Sequence, residues 1–194
     1  MDEFQLSNET LRRLMTHLKN HMDKGLKGGL KMSTLAMLPS FVPELPDGTE
    51  RGKFVALDLG GTNLRVMTME IEPGEQMRTD QYNTSVPSAV MQGTSEQVSE
   101  ISTFIQSSLL FDYIAKVLGD FLVEKGLAEE NLPLGFTFSY PCHQTSIRAA
   151  TLLRWTKSFT TTGVIGEDVV KLLEDAIRRD GVSHLVNCYV YASV

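Results

Sequence analysis

The stretch FVALDLGGTNLRV, residues 54–66, places two adjacent glycines between two apolar, β-prone runs. Gly60 and Gly61 allow backbone conformations that other residues avoid, and with no Cβ in the way their N–H groups can approach an anion. Asp58 lies at the end of the first apolar run, where a carboxylate can hold a hydrated Mg²⁺ whose other ligands are phosphate oxygens. The stretch therefore fits a phosphate-binding turn.

The residues that follow the glycines add polar groups to the turn. Thr62 and Asn63 supply neutral hydrogen-bond donors, and Arg65 can either reach the phosphates or lie at the surface. These residues alone leave a second interpretation open, because Gly-Gly is also a common signal for an ordinary hairpin turn between two strands.

The bulk properties describe an ordinary globular protein. Its 194 residues suit one domain, or one and a part. A net charge of −6 argues against a nucleic-acid partner, which would favour a basic face. No apolar stretch approaches the roughly 20 residues of a membrane span, and the polar start lacks signal-peptide character, so we expect a cytoplasmic protein. Cys142 and Cys188 lack metal-binding spacing and are interpreted as plain small side chains.

Periodicity predicts an alternation of strands and helices, which indicates a layered α/β domain. The predicted helices cover about residues 8–24, 110–125 and 167–179, with Ser7 capping the first and Gly25 ending it. The predicted strands cover residues 54–58, 64–71 and 132–138, and residues 185–194 are short, apolar and β-prone. Residues 25–53 are predicted to be a packed connector, and residues 78–94 a polar stretch.

Two further places carry polar groups at strand ends. Ser139 follows an apolar strand and precedes Tyr140-Pro141, where proline excludes helix, so its hydroxyl can either meet a ligand or satisfy its own turn. Thr156 and Lys157 adjoin the chain's only tryptophan and can bind a polyol through directed hydrogen bonds. By themselves, however, these residues favour the simpler interpretation, which is a strand end with a solvated lysine.

Taken together, the motifs resemble the amino-terminal half of a eukaryotic-type hexokinase or glucokinase. The motifs are MLPSFV (37–42) followed by PDG (46–48), LDLGGTNLRV (57–66), LFDYIA (110–115), LPLGFTFSYP (132–141) and LRWTKSF (153–159). Their co-linear order over roughly residues 5–181 makes the resemblance far more specific than the glycine turn alone.

The resemblance implies the actin-like ATPase (ribonuclease H-like) fold, with the small lobe and the start of the large lobe present. It implies transfer of the γ-phosphoryl group of ATP to the 6-hydroxyl of glucose or a similar hexose, with ATP and Mg²⁺ as cofactors. By motif match, the phosphate-binding residues are Asp58, Leu59, Gly60, Gly61, Thr62, Asn63 and Arg65. The sugar-contacting residues are Ser139, Thr156 and Lys157. Lys157 is also the candidate catalytic residue, and Asp58 the indirect Mg²⁺ contact.

The chain departs from the family pattern in three places. Residues 98–109 read as an insert within a small-lobe region of residues 25–181, either looped out or extending the next helix backward, with a natural break at Ser107-Ser108. The chain is thus divided into an amino-terminal helix of residues 1–24, the small-lobe region of residues 25–181, and a divergent tail of residues 182–194. From the resemblance we also expect the rest of the large lobe, with its adenosine-binding segments, to be missing from this chain.

The tail bears on catalysis, because the family's general base is an Asp in an Asn-Asp-Thr that follows a buried strand. Here residues 186–190 read VNCYV, so either a cysteine replaces the base or the base is absent. We favour absence, with the tail as unrelated sequence. The chain is then expected to be a catalytically impaired fragment of a hexose kinase, or a non-catalytic product that binds sugar or protein.

Overall fold

The computed structural model describes residues 6–42, 44–92, 100–181 and 186–191, of which 100–107 and 186–191 are described as backbone only. The chain divides into two compact units, Met1–Pro39 and Ser40–Val194. Among these described residues, no helix is both long and apolar enough to cross a membrane.

The first unit is built on helix α1, Asn8–Gly28, which continues into a 3₁₀ turn, Gly29–Lys31. The Ser7 hydroxyl caps α1 by accepting a hydrogen bond from the Thr10 N–H at 3.1 Å, as predicted. Gly25 does not end the helix. It is buried inside α1, and a Cβ there would collide with the carbonyl oxygen of Leu35. This glycine therefore permits a close backbone approach and does not terminate the helix.

The second unit contains a five-stranded sheet. Its strands are β1 Gly52–Leu59, β2 Asn63–Ile71, β3 Arg78–Ser85, β4 Leu132–Phe138 and β7 Val186–Tyr191. Their order across the sheet is β3-β2-β1-β4-β7. Neighbours among β3, β2 and β1 pair antiparallel, whereas β4 runs parallel to β1 and β7 parallel to β4. A separate hairpin pairs β5 Cys142–Ser146 with β6 Ala149–Leu152. The helices are α2 Ser88–Met91, α3 Glu100–Glu124 and α4 Val169–Asp180.

The core of this unit lies where α3 and α4 meet the central strands. Alternate residues of β1 and β4 are buried, as expected for strands with one face toward a packed layer. Helix α3 contributes the predicted 3.6-residue stripe, which is almost fully buried. The largest of these buried side chains are Leu57, Leu59, Leu134, Phe136, Phe138, Leu110, Phe111, Ile114, Leu118 and Leu122.

Three elements differ from their predictions. Residues 78–85, predicted only as part of a polar stretch, form the edge strand β3, whose side chains are almost all exposed and so carry no apolar alternation. For the apparent insert, the backbone of residues 100–109 continues α3 backward, and the predicted break at Ser107-Ser108 is wrong. Residues 98–99 lie outside the described residues. The tail contributes strand β7 to the sheet beside β4.

Candidate functional site

The glycine turn joins β1 to β2, so the hairpin interpretation of this stretch is correct for the backbone. The Gly60 N–H donates to the Asn63 carbonyl at 2.9 Å, and the Val86 N–H donates to the Thr62 carbonyl at 2.9 Å. Within the described part of the chain, the N–H groups of Gly61 and Thr62 have no hydrogen-bond acceptor. A hairpin turn with two free donors can still bind an anion, because successive backbone N–H groups form an anion-binding concavity.

Asp58 lies one residue before the end of β1 and is half-buried. The Thr137 hydroxyl on β4 is 3.0 Å from the Asp58 carboxylate and 3.0 Å from the Leu57 carbonyl. The Arg65 guanidinium, opposite Asp58 across the hairpin, is 3.7 Å from the other carboxylate oxygen. Both side chains of that pair are more than 40% exposed, so the ion pair contributes little to stability. Arg65 is exposed in the structure, and its contact with a phosphate stays a prediction.

The parallel pairing of β4 with β1 brings the end of β4 to the glycine turn. Phe138 lies opposite Leu59, and the next residue, Ser139, donates its N–H to the Leu59 carbonyl at 3.3 Å. Leu59 itself is fully buried and takes part through its backbone. Ligands of open α/β sheets bind beyond the carboxyl ends of parallel strands, and Ser139 occupies that position.

The Lys157 side chain packs against Gly61 of the glycine turn and reaches Ser139. Its φ of 62° is in the left-handed region, and its ammonium donates to the Ser139 carbonyl at 2.9 Å. A Cβ on Gly61 would approach the Lys157 Cδ to 2.9 Å, closer than side-chain atoms normally pack. The missing side chain of Gly61 therefore makes room for Lys157. Thr156, half-buried, directly precedes Lys157.

An aromatic cluster supports these strand ends. The Tyr140 ring lies 4.8 Å from Phe138, 4.9 Å from Trp155 and 5.2 Å from Phe159, measured between ring centroids. Trp155 stacks on Phe159, and its indole N–H donates to the Thr161 carbonyl at 2.6 Å. The only tryptophan is thus fixed close to the site.

Tyr140 is a site residue that the sequence reasoning missed. Its hydroxyl donates to the Gly60 carbonyl at 2.7 Å, and the side chain is 1% exposed. Burial raises the pKa of this phenol well above its ordinary value, so it remains a protonated donor. One signal was available, because a tyrosine buried next to a candidate ligand residue usually hydrogen-bonds a nearby polar group.

Cys142, two residues after Tyr140, is a packing residue. It is fully buried, and burial, with a smaller contribution from the Asp168 carboxylate, raises the pKa of its thiol to about 12. A thiol that stays protonated is a poor nucleophile and metal ligand. The side chain of Cys188 lies outside the described residues. No group of three or more His, Cys, Asp or Glu side chains in the described ranges is placed to hold a metal ion.

Comparison with known proteins identifies the family. A family model described as Hexokinase matches residues 1–192. The chain belongs to the hexokinase family. It is 62% identical over 181 residues to a hexokinase of Brugia malayi and 43% identical over 179 residues to hexokinase-1 of Rattus norvegicus. The matched range includes most of the tail that was predicted to be unrelated sequence.

The hexokinase relatives are much longer than this chain. The matches cover 93% of the chain but 30% of the Brugia malayi hexokinase, and 91% of the chain but 18% of the rat protein. A solved structure, the hexokinase from Schistosoma mansoni complexed with glucose, aligns with a TM-score of 0.79 and 36% identity, over 97% of this chain and 40% of that chain. The predicted family and its actin-like ATPase fold, represented here by the small-lobe region, are confirmed.

Proposed function

We propose that this chain carries the sugar and phosphate contacts of a hexokinase, which transfers the γ-phosphoryl group of ATP to the 6-hydroxyl of a glucose-like hexose. One observation carries the proposal. The glycine turn, Ser139 and Lys157 come from three separate stretches of sequence and meet within hydrogen-bond or van der Waals distance. That the related Schistosoma mansoni hexokinase is complexed with glucose supports a hexose as the acceptor.

The phosphates of ATP would lie against the turn. The unpaired N–H groups of Gly61 and Thr62 supply donors that cost no rearrangement when charge develops, which is the main contribution a protein makes to phosphoryl transfer. Asn63 and Thr62 are exposed and can add side-chain donors. Arg65, already beside Asp58, adds positive charge at the same edge.

Asp58 fits an indirect contact to Mg²⁺. Among the described residues, its carboxylate accepts one hydrogen bond, from Thr137, which leaves lone pairs for a further donor. Mg²⁺ usually keeps several waters and takes few protein ligands, so a single half-buried carboxylate suits a contact through water. When bound, the ion would neutralise charge on the phosphate oxygens.

The sugar would bind at the end of β4. The hydroxyls of Ser139 and Thr156 make no hydrogen bond to other described residues, so both are available to a polyol. The Lys157 ammonium is held at the same place by the Ser139 carbonyl, where it can stabilise negative charge developing on the attacking hydroxyl.

We further propose that the 194-residue chain by itself transfers phosphate poorly. Among the residues whose side chains are described, no carboxylate is hydrogen-bonded or ion-paired to Ser139, Thr156 or Lys157, so no general base is evident there. The second candidate function is therefore a non-catalytic sugar-binding or protein-binding product.

One preparation tests both candidates. A coupled assay for glucose 6-phosphate should show no turnover above background. Glucose should change Trp155 fluorescence, because the indole packs against Tyr140, the residue after Ser139. Ser139→Ala should weaken glucose binding by roughly three- to tenfold through loss of one hydrogen bond. Thr79→Ala, on the exposed edge strand, is the matched control and should bind as the parent does. Ordinary kinase turnover would overturn the proposed impairment, and a flat glucose titration would overturn sugar binding by this chain.

A further inference from the structure

The Gly60-Gly61 peptide is held at the oxygen end by Tyr140. The Tyr140 hydroxyl donates to the Gly60 carbonyl at 2.7 Å, the shortest of the hydrogen bonds at the turn. At the other side of the same residue, the Gly60 N–H is bonded to the Asn63 carbonyl at 2.9 Å. Both polar groups of Gly60 are thus engaged, although glycine has the most freedom of any residue to rotate them.

The direction of the Gly60 carbonyl sets the direction of the Gly61 N–H, because both groups belong to the same peptide unit. A peptide unit is planar, and in the trans form its C=O and N–H point in opposite directions. The described residues contain no cis peptide. Because the Gly60 carbonyl points toward the buried Tyr140 hydroxyl, the Gly61 N–H points away from it. That N–H is one of the two without an acceptor among the described residues.

Packing fixes the Tyr140 ring independently of the glycine turn. Three aromatic rings pack against it, and the Lys157 ammonium lies 5.0 Å from its centroid on the way to the Ser139 carbonyl. The ring is also fully buried, so a rotation would open a cavity in a close-packed core. The position of the hydroxyl is therefore set by the core and not by the turn.

We propose that Tyr140 is a positioning residue for the phosphate turn: its hydroxyl fixes the Gly60 carbonyl and thereby aims the Gly61 N–H at the phosphates of the nucleotide. The inference rests on the proposed function, which supplies the nucleotide. It adds that the residue immediately after the sugar-contacting Ser139 controls the geometry of the phosphate side. A phenylalanine would fill the same space in the core but would leave the Gly60 peptide free to rotate.

The test compares two tyrosine-to-phenylalanine variants of the whole chain by NMR, with Mg·ATP and tripolyphosphate as probes. Tyr140→Phe removes the hydroxyl at the turn. Tyr113→Phe is the matched control, since it removes a hydroxyl that donates at 3.2 Å to the Ser85 carbonyl, on the neighbouring strand but not on the Gly60 peptide. The amide resonance of Gly61 reports binding directly, and the melting temperature reports stability, so the two effects are read separately.

We expect both probes to shift the Gly61 amide in the parent chain. Tyr140→Phe should raise the dissociation constant for each probe by roughly three- to tenfold and move the Gly61 amide in the ligand-free chain. Tyr113→Phe should bind as the parent does. If Tyr140→Phe lowers the melting temperature more than the control, affinities are compared at a temperature at which both variants are folded.

The possible failures point to different claims. If neither probe shifts the Gly61 amide in the parent chain, phosphate binding at this turn is wrong and the proposed function loses its nucleotide side. If the parent binds and Tyr140→Phe binds equally well, the turn holds its geometry unaided and the assignment of Tyr140 is overturned. Equal weakening by both phenylalanine variants would also overturn it, because the effect would then be general to the hairpin.

Discussion

Helices α1 and α4 have the same kind of sequence pattern but different surroundings. Each carries an apolar stripe at helical spacing and begins at a capping side chain, Ser7 in α1 and Asp168 in α4. In α4 the stripe is buried, and its residues are Val169, Val170, Leu173, Ala176 and Ile177. In α1 the stripe is exposed, and its residues are Leu11, Leu14, Met15, Leu18 and Met22.

The difference lies in what each helix packs against within its own unit. Helix α4 packs on α3 and on strand β6, and its stripe completes the core of the second unit. Four residues of the α1 stripe instead line an open groove of about 500 Å³ within the first unit, and the groove is lined by Leu11, Leu14, Met15, His17, Leu18, His21, Thr34 and Leu35. Most helical stability in proteins comes from packing of an apolar face. Periodicity therefore predicts that a helix forms and which face is apolar, but not whether another layer covers that face.

The largest expected effect contrasts one leucine from each stripe. Leu173→Ala should lower the free energy of unfolding by about 2–5 kcal/mol, because the side chain is fully buried and its removal leaves a cavity. Leu14→Ala should change it by no more than about 0.5 kcal/mol, because the side chain is 52% exposed. Urea denaturation of the two variants measures both values. Equal costs would break the comparison by showing that the α1 stripe is covered in solution.

The next effect concerns association through the exposed stripe. Contiguous exposed apolar surface promotes binding between molecules, so we expect the chain to self-associate as its concentration rises. Replacing Leu14 and Leu18 together by glutamine should raise the dissociation constant of self-association about tenfold or more, since each leucine would bury substantial apolar surface in the contact. Sedimentation velocity over a concentration series measures it.

Arg13→Gln, on the polar face of α1, is the control for that double substitution and should leave association unchanged. A parent chain that sediments as a monomer at every concentration would contradict this prediction. Such a result would show that the apolar stripe of α1 stays exposed in solution without causing association, unlike the buried stripe of α4.

The smallest expected effect compares the two N-caps. The Asp168 carboxylate accepts from the Val170 N–H at 3.0 Å and from the Ala150 N–H at 3.2 Å, so it ties α4 to β6, whereas Ser7 caps only its own helix. Asp168→Ala should cost about 1–2 kcal/mol and Ser7→Ala about 0.5–1 kcal/mol of stability. Thermal unfolding measures the difference, with Asp168→Asn and Ser7→Thr as controls that keep an acceptor. A larger loss of stability for Ser7→Ala than for Asp168→Ala would contradict this prediction.

Much of the central fold follows from local pattern. The apolar runs around the glycine turn, the strand of residues 132–138 and the stripes of α3 and α4 each have a period that matches the observed element. Strand β3 could not be found this way, because an exposed edge strand has no apolar face to alternate. The backward extension of α3 was likewise hidden by two serines, which helices tolerate when the neighbouring turns are stable.

The candidate site also has a part that could be predicted from local sequence and a part that could not. The motifs identify the glycine turn, Ser139, Thr156 and Lys157 as residues to consider, and the structure brings the turn, Ser139 and Lys157 together. Their roles stay predictions that the binding experiments test. The contact from Tyr140 to Gly60 was not foreseeable, because it depends on the parallel register of β1 and β4 across 80 residues of sequence.

The amino-acid sequence by itself determined the family, the elements with strong periodicity and the candidate residues, since each depends on short motifs whose chemistry is local. Only the tertiary structure decided that Gly61 lies beneath Lys157, that Tyr140 holds Gly60, and that the stripe of α4 is covered while that of α1 is exposed. The physical reason is that burial and hydrogen bonding between distant residues depend on which layers meet in the fold, and no short stretch of sequence contains that information.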